Sequence, residues 1–222
     1  MLIGVAVYSQ EPLGFQLPPQ EIIDLVDAPA TPSTSISPDN TTIAFIGNPG
    51  LPSLEDLARE ELRLGGLRID PHNNGPSRRS YGISISLTNI RGENERVVTG
   101  LPKSPQISNV RWSPDSRHMA FLNTTYNKIE LWVLEVRTAQ ARKITQQAIS
   151  NVMGNAFSWS SDNQTILFTA VPENRGDVPE RPRVADGPVI QENIGRRAAV
   201  RTFQDMLTNR HDEELFDYYA MS

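Results

Sequence analysis

A short turn sequence recurs three times in this chain and constrains its fold more than any other feature. The copies are Ser-Pro-Asp at 37–39 and 113–115 and Ser-Ser-Asp at 160–162; each follows an apolar residue, and a phenylalanine lies six residues after each aspartate. Proline presets the second position of a turn and aspartate can bond to its own backbone, so each copy predicts a tight turn between two strands. The last two aspartates are 47 residues apart, close to the roughly 40–50 residues of a β-propeller blade. The first two are 76 residues apart, which predicts one blade with an insertion of about thirty residues.

The segment 107–145 predicts one complete blade. Four strands are expected at 107–112, 118–123, 129–136 and 141–145, with short polar turns between them. The third, IELWVLEV, is apolar on both faces, so both faces must be covered. Each blade of a propeller packs between two neighbours and is covered in that way. The sequence therefore predicts an all-β fold: a partial β-propeller of about three four-stranded antiparallel blades, the last one incomplete.

The repeats set the expected blade boundaries, which are 34–100, 105–147 and 152–222. In the last blade, the third strand is expected at 214–221, and the fourth is missing from this chain.

Two insertions separate the second and third strands of the outer blades, at 49–80 and 172–213. Each contains a predicted helix: the first begins at the capping residue Ser53 and ends at Gly65-Gly66, and the second covers 202–207. Because successive strands alternate in direction, both insertions should emerge on one face of the propeller. Loops on one face of a rigid scaffold are where function concentrates.

The first nine residues, MLIGVAVYS, are apolar and uncharged, and the composition changes abruptly after them. This pattern is typical of the end of a signal peptide, and a short N-terminal strand is the alternative. A signal peptide predicts a periplasmic or secreted protein. Residues 10–33 then form a proline-rich lead-in with one amphipathic piece, EIIDLVD.

Composition and motifs argue against several classes of function. The formal net charge of −5 lacks the basic face that nucleic-acid binding needs. The chain has no cysteine, and no apolar run approaches the roughly 18 residues of a membrane span. His72, His118 and His211 lack metal-ligand spacing, and the sequence around Ser84, GISIS, lacks the second glycine of a nucleophile elbow. We therefore predict no catalytic residue, no metal and no cofactor within this chain.

Three longer stretches carry a resemblance to a known family. They are FQLPPQEIIDLVDAPATPSTSISPD, LPSLEDLAREELRLGGLRIDP and GPVIQENIGRRAAVRTFQDMLTNRHDEELFDYYA. Together with the Ser-Pro-Asp repeats, they resemble the N-terminal propeller region of prolyl-oligopeptidase-family serine peptidases, in the glutamyl-endopeptidase-like branch of bacteria and plant chloroplasts. The resemblance implies a C-terminal α/β-hydrolase domain, absent from this chain, that cuts peptides which the propeller has screened. A plant source would make the location the chloroplast.

The resemblance also implies cleavage after glutamate, which needs a cation that binds a carboxylate. Arginine does this best, through two parallel hydrogen bonds. The insertions supply five candidates for the substrate-binding residues: Arg78, Arg79, Arg175, Arg196 and Arg197. The alternative is that these arginines are solvated or pair with neighbouring acids such as Glu173 and Asp177. The alternative for the whole chain is a stand-alone TolB-like propeller that acts as a protein-binding scaffold.

Overall fold

The computed structural model describes residues 14, 16–184, 187, 195 and 205–221. Within these ranges, no helix is long and apolar enough to cross a membrane. In chain order the elements are α1 (Gln20–Val26), β1 (Ser33–Ile36), β2 (Thr42–Gly47), α2 (Leu54–Ala58), β3 (Leu62–Leu64), β4 (Leu67–Asp70), β5 (Gly75–Pro76), β6 (Ser84–Asn89), β7 (Arg96–Val97), β8 (Ile107–Trp112), β9 (His118–Thr124), β10 (Ile129–Glu135), β11 (Gln140–Lys143), β12 (Phe157–Trp159), β13 (Ile166–Phe168) and α3 (Arg210–Ala220). The predicted signal-peptide segment at 1–9 lies outside the described residues.

Three antiparallel sheets follow one another along the chain. The first sheet has the strand order β1-β2-β6-β7, the second has the order β11-β10-β9-β8, and the third contains β12 and β13. The predicted insertion at 49–80 separates β2 from β6 and forms a sheet of its own from β3, β4 and β5. The prediction of an all-β fold built from antiparallel sheets is confirmed.

The second sheet is covered on both faces, as its doubly apolar strand requires. Met119 and Phe121 on one face pack in a cluster with Ile85 and Leu87 of the first sheet. On the other face, Leu122 and Leu131 belong to a cluster with Phe157 of the third sheet, and with Ile149 and Ala156 just before it. Residues that alternate along β9 thus face opposite neighbours, because side chains on a strand alternate between its two faces.

The three repeated turns have the same hydrogen bonds. The residue after each aspartate (Asn40, Ser116 or Asn163) has a positive φ of 58°, 62° or 62°. Its N–H donates to the carbonyl of the turn's serine at 2.8, 3.0 and 3.2 Å, respectively. Each aspartate accepts the N–H two residues further on, at 3.1, 3.1 and 2.9 Å. The turn at 160–162 keeps this geometry even though Ser161 replaces the proline.

Tryptophans join successive sheets at equivalent positions of the repeat. The indole N–H of Trp112, at the end of β8, donates to Ser35 Oγ of β1 at 2.9 Å. The indole N–H of Trp159, at the end of β12, donates to the carbonyl of Arg111 in β8 at 3.1 Å. Each acceptor lies one residue before the apolar residue of its own repeat. The first strands of the three sheets are therefore connected in series.

The structure corrects the predicted helix at the start of the first insertion. Helix α2 does begin at the Ser53 cap, where the Ser53 side chain accepts the N–H of Asp56, but it ends at Ala58. Gly65 and Gly66 do not terminate a helix; both have positive φ and form the turn between β3 and β4. Two glycines with positive φ are what a two-residue hairpin turn requires.

The predicted third strand at 214–221 is wrong, because this segment belongs to helix α3. Asn209 caps the helix by accepting the N–H of Asp212 at 2.9 Å, and Arg210 pairs with Glu214 one turn on at 2.9 Å. Among the described residues the third sheet therefore has two strands, and the number of blades remains a prediction. Of the predicted helix at 202–207, residues 202–204 lie outside the described residues, and Met206 and Leu207 are not helical.

Candidate functional site

The two insertions meet and pack as one unit, which we call the cap: β3, β4 and β5 of the first insertion together with α3, which follows the second. Leu64 and Ile69 of the first insertion form a buried cluster with Tyr219 of α3 and with Val152. Leu215 and Phe216 of α3 pack against this cluster. The cap therefore depends on two stretches of chain that are far apart in sequence.

Arg175 of the second insertion joins the two parts of the cap. Its guanidinium lies 3.9 Å from the centre of the Tyr218 ring and donates to Asn74 Oδ1 and to the carbonyl of Tyr218. The Asn74 side chain in turn donates to Ser150 Oγ at 2.9 Å and to the carbonyl of Tyr219 at 3.4 Å. The Nη1 atom of Arg175 thus already has partners inside the protein.

A small polar cavity of about 50 Å³ lies between the cap and the second sheet. We call it the arginine pocket, and its lining residues are Asp56, Arg59, Asp70, Asn73, Pro76, Ser77, Arg78, Arg79, Ser80, Tyr81, Gln106, Ser108, Thr124 and Ile129. Arg59 comes from the end of α2, and Arg78 and Arg79 from the loop after β5, while the starts of β8 and β10 and the end of β9 supply the opposite wall. These strand ends lie on the face from which the insertions emerge.

Two of the three arginines in the pocket already pair with carboxylates. The Arg59 Nε atom lies 2.8 Å from Oδ2 of the buried Asp70, without a well-directed hydrogen bond. The Arg78 Nε atom lies 3.2 Å from Oε2 of Glu61. Glu61 also accepts from Ser77 at 2.6 Å, and this hydrogen bond, with the nearby arginines, lowers the pKa of Glu61. Arg59 and Arg78 therefore each have a carboxylate partner inside the protein.

Asp56 is the carboxylate in the pocket for which the described part of the chain supplies no cation within ion-pair distance. Desolvation raises its pKa, but hydrogen bonds from Ser53, Tyr81 and Gln106 together outweigh burial, so the net shift is downward. The Tyr81 hydroxyl donates to Asp56 Oδ2 at 2.8 Å, and burial together with this contact raises the pKa of Tyr81 to about 12. Near neutral pH, Tyr81 is thus a neutral donor and Asp56 stays ionised.

Arg79 is the remaining cation of the pocket. Its Nη2 donates to Asn109 Oδ1 of β8 at 2.7 Å. Among the described residues, no carboxylate lies within ion-pair distance of its guanidinium. Burial lowers the pKa of Arg79, but a guanidinium begins above about 12 and so remains charged at physiological pH. A cation in this position is suited to bind an anion.

The backbone beside Arg79 is held in an uncommon conformation. Arg78 has a φ of 51° and Asn109, across the pocket, has a φ of 50°. Such conformations are uncommon for residues other than glycine and persist where the surroundings enforce them, often at ligand-binding sites. Asn109 lies where the register between β8 and β9 shifts. The Arg79–Asn109 contact therefore joins two irregular points of the backbone.

The five arginines predicted from the sequence fall into three groups. Arg78 and Arg79 line the arginine pocket. Arg175 holds parts of the cap together through its contacts with Asn74 and Tyr218. We therefore assign it a structural role and not a role in substrate binding. Arg196 and Arg197 lie outside the described residues. Sequence reasoning missed Arg59, Tyr81 and Ser108, because nothing local in the sequence marks them as neighbours.

In the described part of the chain, the serines and histidines do not form a hydrolytic site. His72 Nδ1 lies 3.3 Å from Asp70 Oδ1, but no serine hydroxyl there is hydrogen-bonded to a histidine ring. No group of three or more potential metal-ligating side chains occurs in the same described ranges. The chemistry that the arginine pocket offers is that of binding, through a guanidinium and neutral polar groups.

Curated relatives match almost the whole chain. It is 38% identical over 227 residues to the "probable glutamyl endopeptidase, chloroplastic" of Oryza sativa subsp. japonica, covering 96% of this chain and 24% of that protein. It is 39% identical over 221 residues to the protein of the same name from Arabidopsis thaliana, covering 94% and 23%. The chain spans about a quarter of the length of these relatives. A TolB homolog of Chlorobium luteolum is 30% identical over 123 residues, covering 49% of this chain and 27% of that protein.

Solved structures give weaker matches. The chain resembles the acylaminoacyl peptidase of Pyrococcus horikoshii with a TM-score of 0.40 and 16% identity, over 77% of this chain and 22% of that one. It resembles the β-propeller domain of the Trilobed protease from Pyrococcus furiosus with a TM-score of 0.36 and 15% identity, over 63% and 34%. Scores this low carry no weight for function. No protein-family model matches the chain.

The stacked antiparallel sheets with repeated turns are what the β-propeller region of a prolyl-oligopeptidase-family serine peptidase would show, and the match to the plant relatives over nearly the whole chain supports the same class. Its similarity is to the plant proteins named glutamyl endopeptidase.

Proposed function

We propose that this chain is the non-catalytic propeller part of a serine endopeptidase that cuts after glutamate, and that it screens peptides on their way to an α/β-hydrolase domain. The observation that carries the proposal is the identity of 38–39% over about 95% of the chain to proteins named glutamyl endopeptidase. The position of the cap adds support. It covers the face on which the arginine pocket lies, so a peptide that approaches this face meets the cap first.

The peptide substrate and the hydrolase domain are the partners in this proposal. The names of the plant relatives give a chloroplast location for those proteins, which fits the plant alternative for this one. A periplasmic or secreted location has no support from these relatives. Arg78 and Arg79 are the proposed contacts with substrate, and the other three arginines are not carried forward.

Hydrolysis by the full-length product tests the catalytic half of the proposal. We expect the product of the complete coding sequence to cleave a peptide with one internal glutamate on the carboxyl side of that residue. The 222-residue chain alone should not cleave it, because nucleophile, base and oxyanion donors must meet within hydrogen-bond distance. Absence of hydrolysis by the full-length product would contradict the proposal.

Loosening the cap tests the screening half. In the full-length enzyme, Arg175→Ala removes the contacts to Asn74 and Tyr218, so we expect faster cleavage of a folded protein substrate relative to a short peptide. The matched control is Arg137→Ala, which removes an exposed arginine that pairs with Glu135 in the second sheet. Equal ratios for both variants and for the unmodified enzyme would show that the cap does not screen.

The runner-up is a TolB-like scaffold that binds another protein. The TolB homolog supports it with 30% identity, but over only 49% of the chain. A full-length product that hydrolyses no peptide yet binds one protein partner tightly would favour this alternative.

A further inference from the structure

We propose that Arg79 is the direct ligand for an acidic side chain of a peptide bound in the arginine pocket, with Arg78 and Arg59 as parts of the wall. The inference rests on the proposed function, since it names the group that the same site recognises. It also makes a distinction that the sequence does not, because Arg78 and Arg79 are adjacent and chemically identical.

Arg79 differs from the other two arginines of the pocket because no carboxylate of the described residues lies within ion-pair distance of it. Arg59 lies 2.8 Å from a carboxylate oxygen of Asp70, and Arg78 lies 3.2 Å from one of Glu61, which it shares with Arg63 and Arg68. Arg79 contacts a neutral amide oxygen, Asn109 Oδ1, at 2.7 Å through one of its nitrogens. That contact fixes the guanidinium and leaves its other N–H groups available. A guanidinium with parallel donors matches a carboxylate in both charge and shape.

The size of the cavity fits a short acidic side chain. A water molecule needs roughly 10–15 Å³ of such space, so about 50 Å³ holds three to five small groups. A glutamate side chain consists of a carboxylate and two methylenes, which is a group of that size. The whole of a larger ligand, such as a nucleotide, does not fit.

Buried polar atoms without partners point to the same location. Ser108 Oγ and Asn73 Oδ1 belong to residues that line the pocket and are shielded from solvent, and neither atom has a hydrogen-bond partner among the described residues. Such groups are costly to leave unpaired. The Ser108 hydroxyl can donate to a bound carboxylate alongside Arg79. Asn73 Oδ1 is an acceptor and takes an N–H, which the backbone of a bound peptide provides.

Binding of blocked amino acids to this chain tests the inference without any need for catalysis. N-acetyl-glutamate amide and N-acetyl-glutamine amide have the same shape but end in a carboxylate and a neutral amide, respectively. Each is titrated into the 222-residue chain, and binding is followed by calorimetry or amide chemical shifts. We expect glutamate to bind at least about tenfold more tightly, because a hydrogen bond to a charged group is worth about 1.5–3 kcal/mol. Arg79→Ala should remove this preference, and Arg79→Lys should restore only part of it.

Two further variants keep the test decisive. Arg210→Ala, which removes an exposed cation from helix α3 of the cap, should retain the preference. Ser108→Ala should weaken glutamate binding about threefold without abolishing it. Equal binding of the two ligands, tighter binding of glutamine, or a preference that survives Arg79→Ala in a folded variant would overturn the inference. None of these outcomes depends on hydrolysis. The binding assay therefore tests the role of Arg79, and the hydrolysis assay tests the proposed function independently.

Discussion

The second and third sheets carry the same repeat but bury it differently. Phe121 and Phe168 lie at the same position after their turns, yet Phe121 is fully buried and Phe168 is 37% exposed. Ala120 is likewise fully buried, while its equivalent Leu167 is 64% exposed. The turns themselves are alike, with the same hydrogen bonds and the same positive φ. The residues of each turn therefore determine its conformation, whereas the burial of the side chains that follow depends on the neighbouring elements that pack on each face of the sheet.

The largest effect should come from truncating the two equivalent phenylalanines. Phe121→Ala should lower the free energy of unfolding by about 3–5 kcal/mol, because it opens a cavity between two sheets. Phe168→Ala should cost about 1–2 kcal/mol, because part of the ring already faces solvent. Urea denaturation of the two variants measures both values. Equal losses would show that the third sheet is as well covered as the second.

A second prediction concerns the tryptophan that joins the first two sheets. Trp112→Phe and Ser35→Ala should show a coupling energy of about 0.5–1.5 kcal/mol in a double-mutant cycle, the usual worth of one hydrogen bond. The control pairs Trp159→Phe with Ser35→Ala, which share no contact and should be additive. Additive behaviour of the Trp112 pair would mean that the 2.9 Å hydrogen bond contributes nothing to stability.

A third prediction exchanges the residue between serine and aspartate in the turns of the second and third sheets, which is Pro114 in one and Ser161 in the other. Ser161→Pro should stabilise the chain by about 0.4–1 kcal/mol, because proline restricts the unfolded chain at a position whose N–H has no backbone acceptor. Pro114→Ser should destabilise it by a similar amount. Thermal melting of both variants checks the pair. Destabilisation by Ser161→Pro would show that the third turn differs from the second.

The smallest effect should be the pH dependence of the turns. Hydrogen bonds from Ser37, Ser113 and Thr165 lower the pKa values of Asp39, Asp115 and Asp162 below the ordinary 3.8. A depressed folded pKa adds stability above about pH 4, and this stability is lost as the pH falls through the folded pKa. The three turns should behave alike, since their hydrogen bonds are alike.

Comparison of each Asp→Asn variant with the unmodified chain at pH 7 and pH 3 measures this dependence. The unmodified chain should have a higher urea midpoint than each variant at pH 7, and this difference in midpoint should become smaller at pH 3. A gap that stays constant across this range would mean that the carboxylate charge does not contribute.

Features fixed by local hydrogen bonds were predictable from the sequence, and features fixed by distant contacts were not. The Ser-x-Asp turns and the strands of the second sheet are local, so the sequence predicts them at nearly the right residues. The β3–β4 hairpin was also readable: LRL and LRI flank Gly65-Gly66, which is a two-residue hairpin signal. The prediction of a helix there gave too much weight to the capping residue Ser53.

The misassigned helix α3 also had a local signal. Leu215, Phe216 and Tyr219 have helical spacing, and Asn209 with Asp212 forms a capping pattern. The blade pattern, which calls for a third strand at this point, was given more weight than the helical spacing. The arginine pocket is a different case, because the contact of Arg79 with Asn109 exists only after the cap and the second sheet have come together.

The fastening of the cap also sets an order of events during synthesis. Asn74 donates to the carbonyl of Tyr219, a residue 145 positions later in the chain, whereas the second sheet is complete within 107–143. At 5–20 residues per second, Asn74 leaves the ribosome roughly 7–30 s before its partner. During that interval Leu64 and Ile69 have no helix to cover them and are accessible to chaperones and proteases. The cap, which covers the face that screens peptides in our proposal, is thus the last part of the described chain to be completed during synthesis.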